Sequence, residues 1–262
     1  MAVEQPRGTE RIIVNNKSAA IDGAPIAYIV VLASVVTALA FIPFSIVLGL
    51  GGSFPMSQGV FGLLGWVLGP VAGAIASGVG ALIGVFAAPY NTGVWFVTVL
   101  GGIVASFAAG TMKTVNNKRK NWWMGVTVVA VIAMVIYLGR ALFINGIALQ
   151  WVILASFVNW SSLLLFVLPT RTLVTRWIGS KNIGLMALGL ALGTWVSFGI
   201  AHTVQNAIVY SMFNWPEEVW VMLSTVIPFE FLSRAAIAAV IGTGVIVGLR
   251  AIGLVKPTEA IY

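Results

Sequence analysis

Apolar residues in this chain run in stretches of about 20 or longer, separated by short segments rich in basic residues, glycine or proline. Two such stretches, Ile183–Phe213 and Trp220–Leu249, flank the connector Asn214-Trp215-Pro216-Glu217-Glu218. Two more, Trp122–Leu142 and Ile147–Leu168, precede them. Ala24–Met112 is long enough for four tightly connected crossings, with turns at Gly49-Gly51-Gly52, Gly69-Pro70 and Pro89-Tyr90-Asn91. In lipid, backbone N–H and C=O groups must be satisfied within a helix or a closed barrel. Runs of this length suit helices, not the roughly ten-residue alternation of barrel strands. The pattern predicts an all-α polytopic integral membrane protein of about eight transmembrane helices. Six stays open if Ala24–Met112 holds two full spans plus re-entrant pieces. A polar N-terminal tail (1–23), one transmembrane helical domain (24–254) and a short C-terminal tail (255–262) are expected. The first 22 residues have no apolar core, so no cleaved signal peptide is expected. No internal repeat is visible, which weakens an inverted-repeat secondary transporter.

Charge orients these spans. Charged residues are 8% of the 262 and apolar ones 60%, against roughly 25% charged in a soluble domain. Of the 14 Lys and Arg, all but Arg140 and Arg234 fall in four groups. These are Arg7, Arg11 and Lys17; Lys113, Lys118, Arg119 and Lys120; Arg171, Arg176 and Lys181; and Arg250 and Lys256. Placed together on the cytoplasmic side, they put both termini inside and the Glu217-Glu218 connector outside. The net charge of +7 lies beside apolar spans, so it reads as a topology signal facing the lipid bilayer of the cell membrane, not as nucleic-acid binding. With no Cys and one His, thiolate and multi-histidine metal sites are excluded within the chain, and no cofactor is expected.

Small residues form ladders. Gly69, Gly73, Ser77 and Ala81 share one helical face, and Ala72, Ala76, Gly80, Gly84 and Ala88 another. Smooth faces let helix backbones approach closely, for internal packing or for a partner. The first helix carries a shorter version, Ser34 with Ala38 and Ala33 with Thr37. A short second helix then leads through Gly69-Pro70 into the Gly/Ala-rich helix LLGWVLGPVAGAIASGVGALIG, and the last helix contains IPFEFLSRAAIAAVIGTGVIVGL. In these features and their order the chain resembles the substrate-binding S components of energy-coupling factor (ECF) vitamin transporters. That family typically has six helices, so Trp122–Leu168 would be an added hairpin. Its Ala-x-x-x-Ala docking strip has only Ser34-x-x-x-Ala38 or Ala33-x-x-x-Thr37 as its counterpart here.

The resemblance implies capture of a vitamin-like small molecule on the outer face. It further implies docking, through Ala33, Ser34, Thr37 and Ala38, on a transmembrane T component driven by two cytosolic ATP-binding subunits. No GxxxxGK[ST] phosphate loop occurs in the chain, so any ATP would be spent by another polypeptide. The outer helix ends gather candidate ligand contacts: Phe54 in a lid-like loop (LGLGGSFPM), Tyr90, Asn91 and Trp95, then His202, Asn206 and Tyr210 at four-residue spacing, Trp215, and Glu230 one turn before Arg234. Aromatic plates with a few polar groups suit a small-molecule pocket. Each also has a plainer reading: interfacial belt for Trp and Tyr, interhelical bond for His202 or for Asn159 beside Trp160, loop charge for Glu217 and Glu218, snorkelling for Arg140, and mutual ion pair for Glu230 and Arg234. A self-sufficient channel or ion-coupled carrier is the alternative; an intramembrane enzyme has too few acids, bases and nucleophiles to supply it.

Overall fold

The computed structural model describes residues 19–47, 52–113, 119–253 and 255–262. Arg7, Arg11, Lys17, Lys118, Gly49 and Gly51 lie outside the described residues. The fold is all-α apart from two small hairpins. In order come β1 (Ala20–Ile21), β2 (Ala24–Pro25), α1 (Ile26–Ala40), β3 (Pro43–Val47), β4 (Gly52–Pro55), α2 (Phe61–Leu68), α3 (Pro70–Ala87), α4 (Trp95–Thr111), α5 (Trp122–Gly139), α6 (Leu149–Ala155), α7 (Phe157–Val167), α8 (Thr170–Ile178), α9 (Ile183–Phe213) and α10 (Glu217–Ile252). β1 pairs with β2 and β3 with β4, both antiparallel.

Among the described residues four helices are long and apolar enough to cross a membrane: α3, α5 with its π-helical extension to Ile144, α9 and α10. A fifth is the α6–α7 pair, bent by 59°. At the bend, Ser156 Oγ donates to Val152 O at 2.6 Å, a back-bond of the kind that bends helices. The outer face of α5 identifies the solvent: Val128, Val129, Val131, Ile132, Val135 and Ile136 are all exposed. An unbroken aliphatic face of that size is stable against lipid, not water.

The glycine ladders explain how the first four helices stack. Gly80 and Gly84 lie against α1, where a Cβ on Gly80 would meet Ala33 O at 2.5 Å and one on Gly84 the Ala40 methyl at 2.6 Å. Gly73 faces α2, and its Cβ would stand 2.7 Å from Leu64 O. Ser77 joins Ser106 of α4 by a hydroxyl–hydroxyl hydrogen bond. Both ladders are thus consumed by packing.

Among the described residues of 24–112, α3 is the helix long and apolar enough to span by itself, and α1 and α4 are shorter apolar helices. The segment after α1 is a β3–β4 hairpin and a 3₁₀ turn, Met56–Gly59, before α2. At eight residues, α2 extends only about 12 Å, yet every residue in it is buried. Two turns stand where the sequence puts them. Gly69 takes φ +91° between α2 and α3, a conformation that favours glycine, and Pro89–Asn91 forms a 3₁₀ turn before α4. The segment between the third and fourth candidate spans holds the extra helix α8, with Val174 and Ile178 buried and Arg171 and Arg176 outward.

The described basic residues of the clusters collect at one end. There Arg119 pairs with Asp22, Arg171 covers the Trp123 ring at 3.7 Å, and Arg250 donates to Ser180 O at 2.7 Å. The residues after 254, expected as a tail, pack against this end. Ile261 N donates to Trp66 O at 2.8 Å and Glu259 is buried beside Gly69. Burial, with Arg250 and Lys113 adding repulsion, holds the Lys256 ammonium below its ordinary range. At the opposite end Asn91 Nδ2 donates to Ala40 O, Arg140 Nε to Asn214 Oδ1, and Ala148 N to Glu217 Oε2.

Gly73→Ala is expected to destabilise the protein by about 1–3 kcal/mol, because its obstacles are backbone atoms that cannot rotate away. Gly244→Ala, with nothing within 4 Å of the added carbon, should instead be neutral or raise stability by up to about 1 kcal/mol. Thermal unfolding of both variants in one detergent measures the contrast.

Candidate ligand-binding site

A cavity of about 270 Å³ opens between the first turn of α4, the middle of α9 and the first half of α10. β4 and the 3₁₀ turn cover it, contributing Ser53, Phe54 and Gln58. The cover is tied down by Asn91, which accepts from Ser53 Oγ at 2.6 Å while donating to Ala40 O at 2.9 Å. Gly59 lets the turn approach α10, since a Cβ there would lie 2.7 Å from the Ile237 side chain.

One ion pair dominates its electrostatics. Arg234 is only 4% exposed. It donates from both terminal nitrogens to Glu230 Oε2, at 3.2 and 3.3 Å, and from Nε to Gln58 Oε1 at 3.0 Å. Its guanidinium also lies 5.1–5.4 Å from the Phe54, Phe198 and Phe231 ring centres. The cation is therefore held by one carboxylate, one amide and three aromatic rings, an arrangement favourable to a desolvated guanidinium. Pro228 lies inside α10, nearly two turns before Arg234. Lacking an N–H, it opens the helix ladder beside the cavity.

The α9 wall is a chain of amides around one imidazole. His202 Nδ1 lies 3.2 Å from Asn159 Nδ2 and 3.4 Å from Asn206 Nδ2. Two amide nitrogens, which can only donate, converge on that ring nitrogen. Asn159 Nδ2 also donates to Thr203 Oγ1 at 3.0 Å, linking the broken helix pair to the cavity wall. Gln205 Nε2 donates to Val97 O at 2.8 Å across to α4. Gly101 makes room for it, because a side chain there would overlap the amide.

Of the expected ligand contacts, Phe54, His202, Asn206, Trp215 and Glu230 line this one cavity. Four do not. Tyr210 is wholly buried behind it, edge-on to Tyr137 and Trp220, and its hydroxyl accepts from Asn145 Nδ2 at 2.6 Å. Tyr90 is 64% exposed and donates to Phe41 O. Trp95 is 52% exposed against Phe86 and Phe96. Asn91 holds the cover. Glu217 secures the α5–α6 connector through Ala148 N, and Arg140 caps Asn214.

Gln58, Thr98, Phe198, Gln205 and Arg234 also line it. A strict four-residue step along α9 picks His202, Asn206 and Tyr210, but the face toward the cavity runs Phe198, His202, Gln205, Asn206 and Val209. Polar Gln205 inside an apolar run was the available signal. On α1 the two small pairs separate. Ala33 is buried and Thr37 Oγ1 donates to Gly80 O at 3.1 Å, whereas Ser34 and Ala38 are exposed.

Among the described residues no group of three His, Cys, Asp or Glu side chains is close enough to hold a metal. No protein-family model, curated protein or solved structure matches the chain significantly.

Removing one partner of a buried ion pair strands the other, typically at about 3–5 kcal/mol. Arg234→Met is accordingly expected to lower stability by about that much, and Arg234→Met combined with Glu230→Gln to recover more than half of the loss. Unfolding of the two variants, compared with the parent, checks the coupling.

Proposed function

We propose that this chain is the substrate-capturing membrane subunit of an importer of the ECF type, binding a vitamin-like small molecule from outside without altering it. The observation that carries this reading is the cavity itself. It is a small, mostly apolar chamber with a few converging polar groups, and a hairpin covers it at the end of the bundle opposite the basic clusters. Taking the basic end as cytoplasmic puts the cavity in the outer leaflet and both termini inside. The chain then crosses eight times, the second crossing being the composite of β4, the 3₁₀ turn and α2. The resemblance noted for α1, the Gly69-Pro70 turn, α3 and α10 adds family-level support. Trp122–Val167 is then the hairpin added to a six-helix core.

On this reading energy comes from partners. The exposed pair Ser34 and Ala38 forms the contact with the T component, and two cytosolic ATP-binding subunits drive it. Ser34→Trp is expected to leave ligand affinity unchanged while abolishing co-purification with the T component. Ala33→Trp should unfold the α1–α3 contact and lose both. Equal loss of both properties in Ser34→Trp would contradict the docking assignment.

The broken α6–α7 helix favours the second reading, an ion-coupled carrier, since discontinuous helices are common there. Proteoliposomes separate the two. Purified protein should release a small molecule identifiable by mass spectrometry. Uptake of that molecule should require the ATPase subunits and ignore pH or sodium gradients. Gradient-driven uptake by the chain alone would replace the importer with the carrier.

A further inference from the structure

A second concavity, of about 430 Å³, lies on the bundle's flank between α4 and α5. Its floor is Ile200 and Val204 of α9, and its walls include Ile103, Phe107, Val126 and Val129. Along α5 it runs from Asn121 to Val129, about 12 Å at 1.5 Å per residue. Half of an approximately 30 Å hydrocarbon core is about 15 Å, so the groove has the reach of one leaflet.

Its two ends differ. The end toward mid-bundle is wholly aliphatic. The other is closed by Phe107 stacked on Trp122 at 5.6 Å, and Arg119 lies over that tryptophan at 4.8 Å. Lys120 is exposed next to it and Lys113 is exposed just past the end of α4. Asp22, paired with Arg119, is the acid found there among the described residues, so cations are in excess. A tryptophan with basic side chains at this level is what a headgroup layer attracts.

Gly125 lies in the middle of the groove, and a Cβ there would meet nothing within 4 Å. Helix–helix packing does not require this glycine. Inside a helix it is unfavourable relative to alanine, and its visible consequence is a wider groove.

We propose that the α4–α5–α9 groove is a binding site for one anionic phospholipid, its acyl chain along Gly125 and its phosphate held by Lys120 and Arg119. A partner helix fits less well: the groove is flanked by cations at one end only, and charge polarity along its length matches a molecule with an anionic head and an apolar tail. The site depends on the chain being in a membrane, not on the importer assignment, and it is separate from the ligand cavity.

Native mass spectrometry of the full chain in mild detergent tests this, with equimolar phosphatidylglycerol and phosphatidylcholine added. One phosphatidylglycerol should remain bound at collision energies that remove phosphatidylcholine. Lys120→Gln should weaken its retention about fivefold and leave phosphatidylcholine unaffected. Gly125→Leu, whose Cβ would meet nothing within 4 Å and whose side chain would project into the groove, should abolish the retained adduct at unchanged melting temperature. Equal retention of both lipids, retention unaffected by Gly125→Leu, or a dimer of the chain in place of the lipid adduct would overturn the proposal.

Discussion

Close backbone contact along the glycine-rich α3 is the constraint from which the rest of this structure follows. Lipid offers no hydrophobic drive for helix association, so packing depends on how near two backbones can come. Gly80 and Gly84 bring α1 in on one side of α3, and Gly73 brings in α2 on another. Gly65 and Gly110 finish the nest by bringing α2 against α4 and the start of α3. Only because α2 is enclosed on every side can an eight-residue helix with a non-helical approach persist inside an apolar bundle. Exposed to lipid, the same segment would leave backbone groups unsatisfied.

That enclosure determines what reaches the cavity. The 3₁₀ turn ahead of α2 is carried inward to α10, and with it Gln58 meets Arg234. The guanidinium is then shared between a carboxylate on its own helix and an amide from the cover. The pair brings no net charge into the chamber, since Glu230 offsets Arg234. The contact also couples cover and wall, because any outward movement of the 3₁₀ turn takes Gln58 away from a buried cation that needs it.

Long features were legible in the sequence and compact ones were not. Basic clusters and apolar runs located α5, α9 and α10 to within a few residues, because those helices are independently long enough to cross a membrane. α2 and the β3–β4 hairpin had no such signature. An eight-residue apolar helix reads like the edge of a longer one, and the hairpin's order comes from Asn91, which is distant in sequence. Phe54, His202, Asn206, Trp215 and Glu230 could be found as polar or aromatic intrusions near one end of apolar spans. Tyr210 and Trp95 carried the same signal for other reasons, an aromatic cluster behind the wall and a surface contact. Small-residue spacing on α1 located two strips but could not say which faced inward. The glycines of α3 decide that, since they accept Ala33 and leave Ser34 and Ala38 outside.

α9 shows why periodicity fails for the helix that matters most. From Val196 to Ala207 it is buried almost throughout, so no polar face marks its orientation. One side presents Phe198, His202 and Gln205 to the cavity, and another presents Ile200 and Val204 to the flank groove. A third binds α7, where Gly199 accommodates Ser162 and Thr203 takes the Asn159 amide. His202, Thr203, Gln205 and Asn206 in this stretch are matched to a named partner or to the cavity, whereas Ser197 Oγ is buried without a hydrogen-bond partner among the described residues. The Gln205 amide is tolerated in an apolar helix because α4 accepts from it at Val97 O, and the Asn206 amide lies against His202 on its own helix. A helix so constrained has little freedom to rotate. The cover, by contrast, is joined to the bundle by side-chain hydrogen bonds of Asn91 and Gln58.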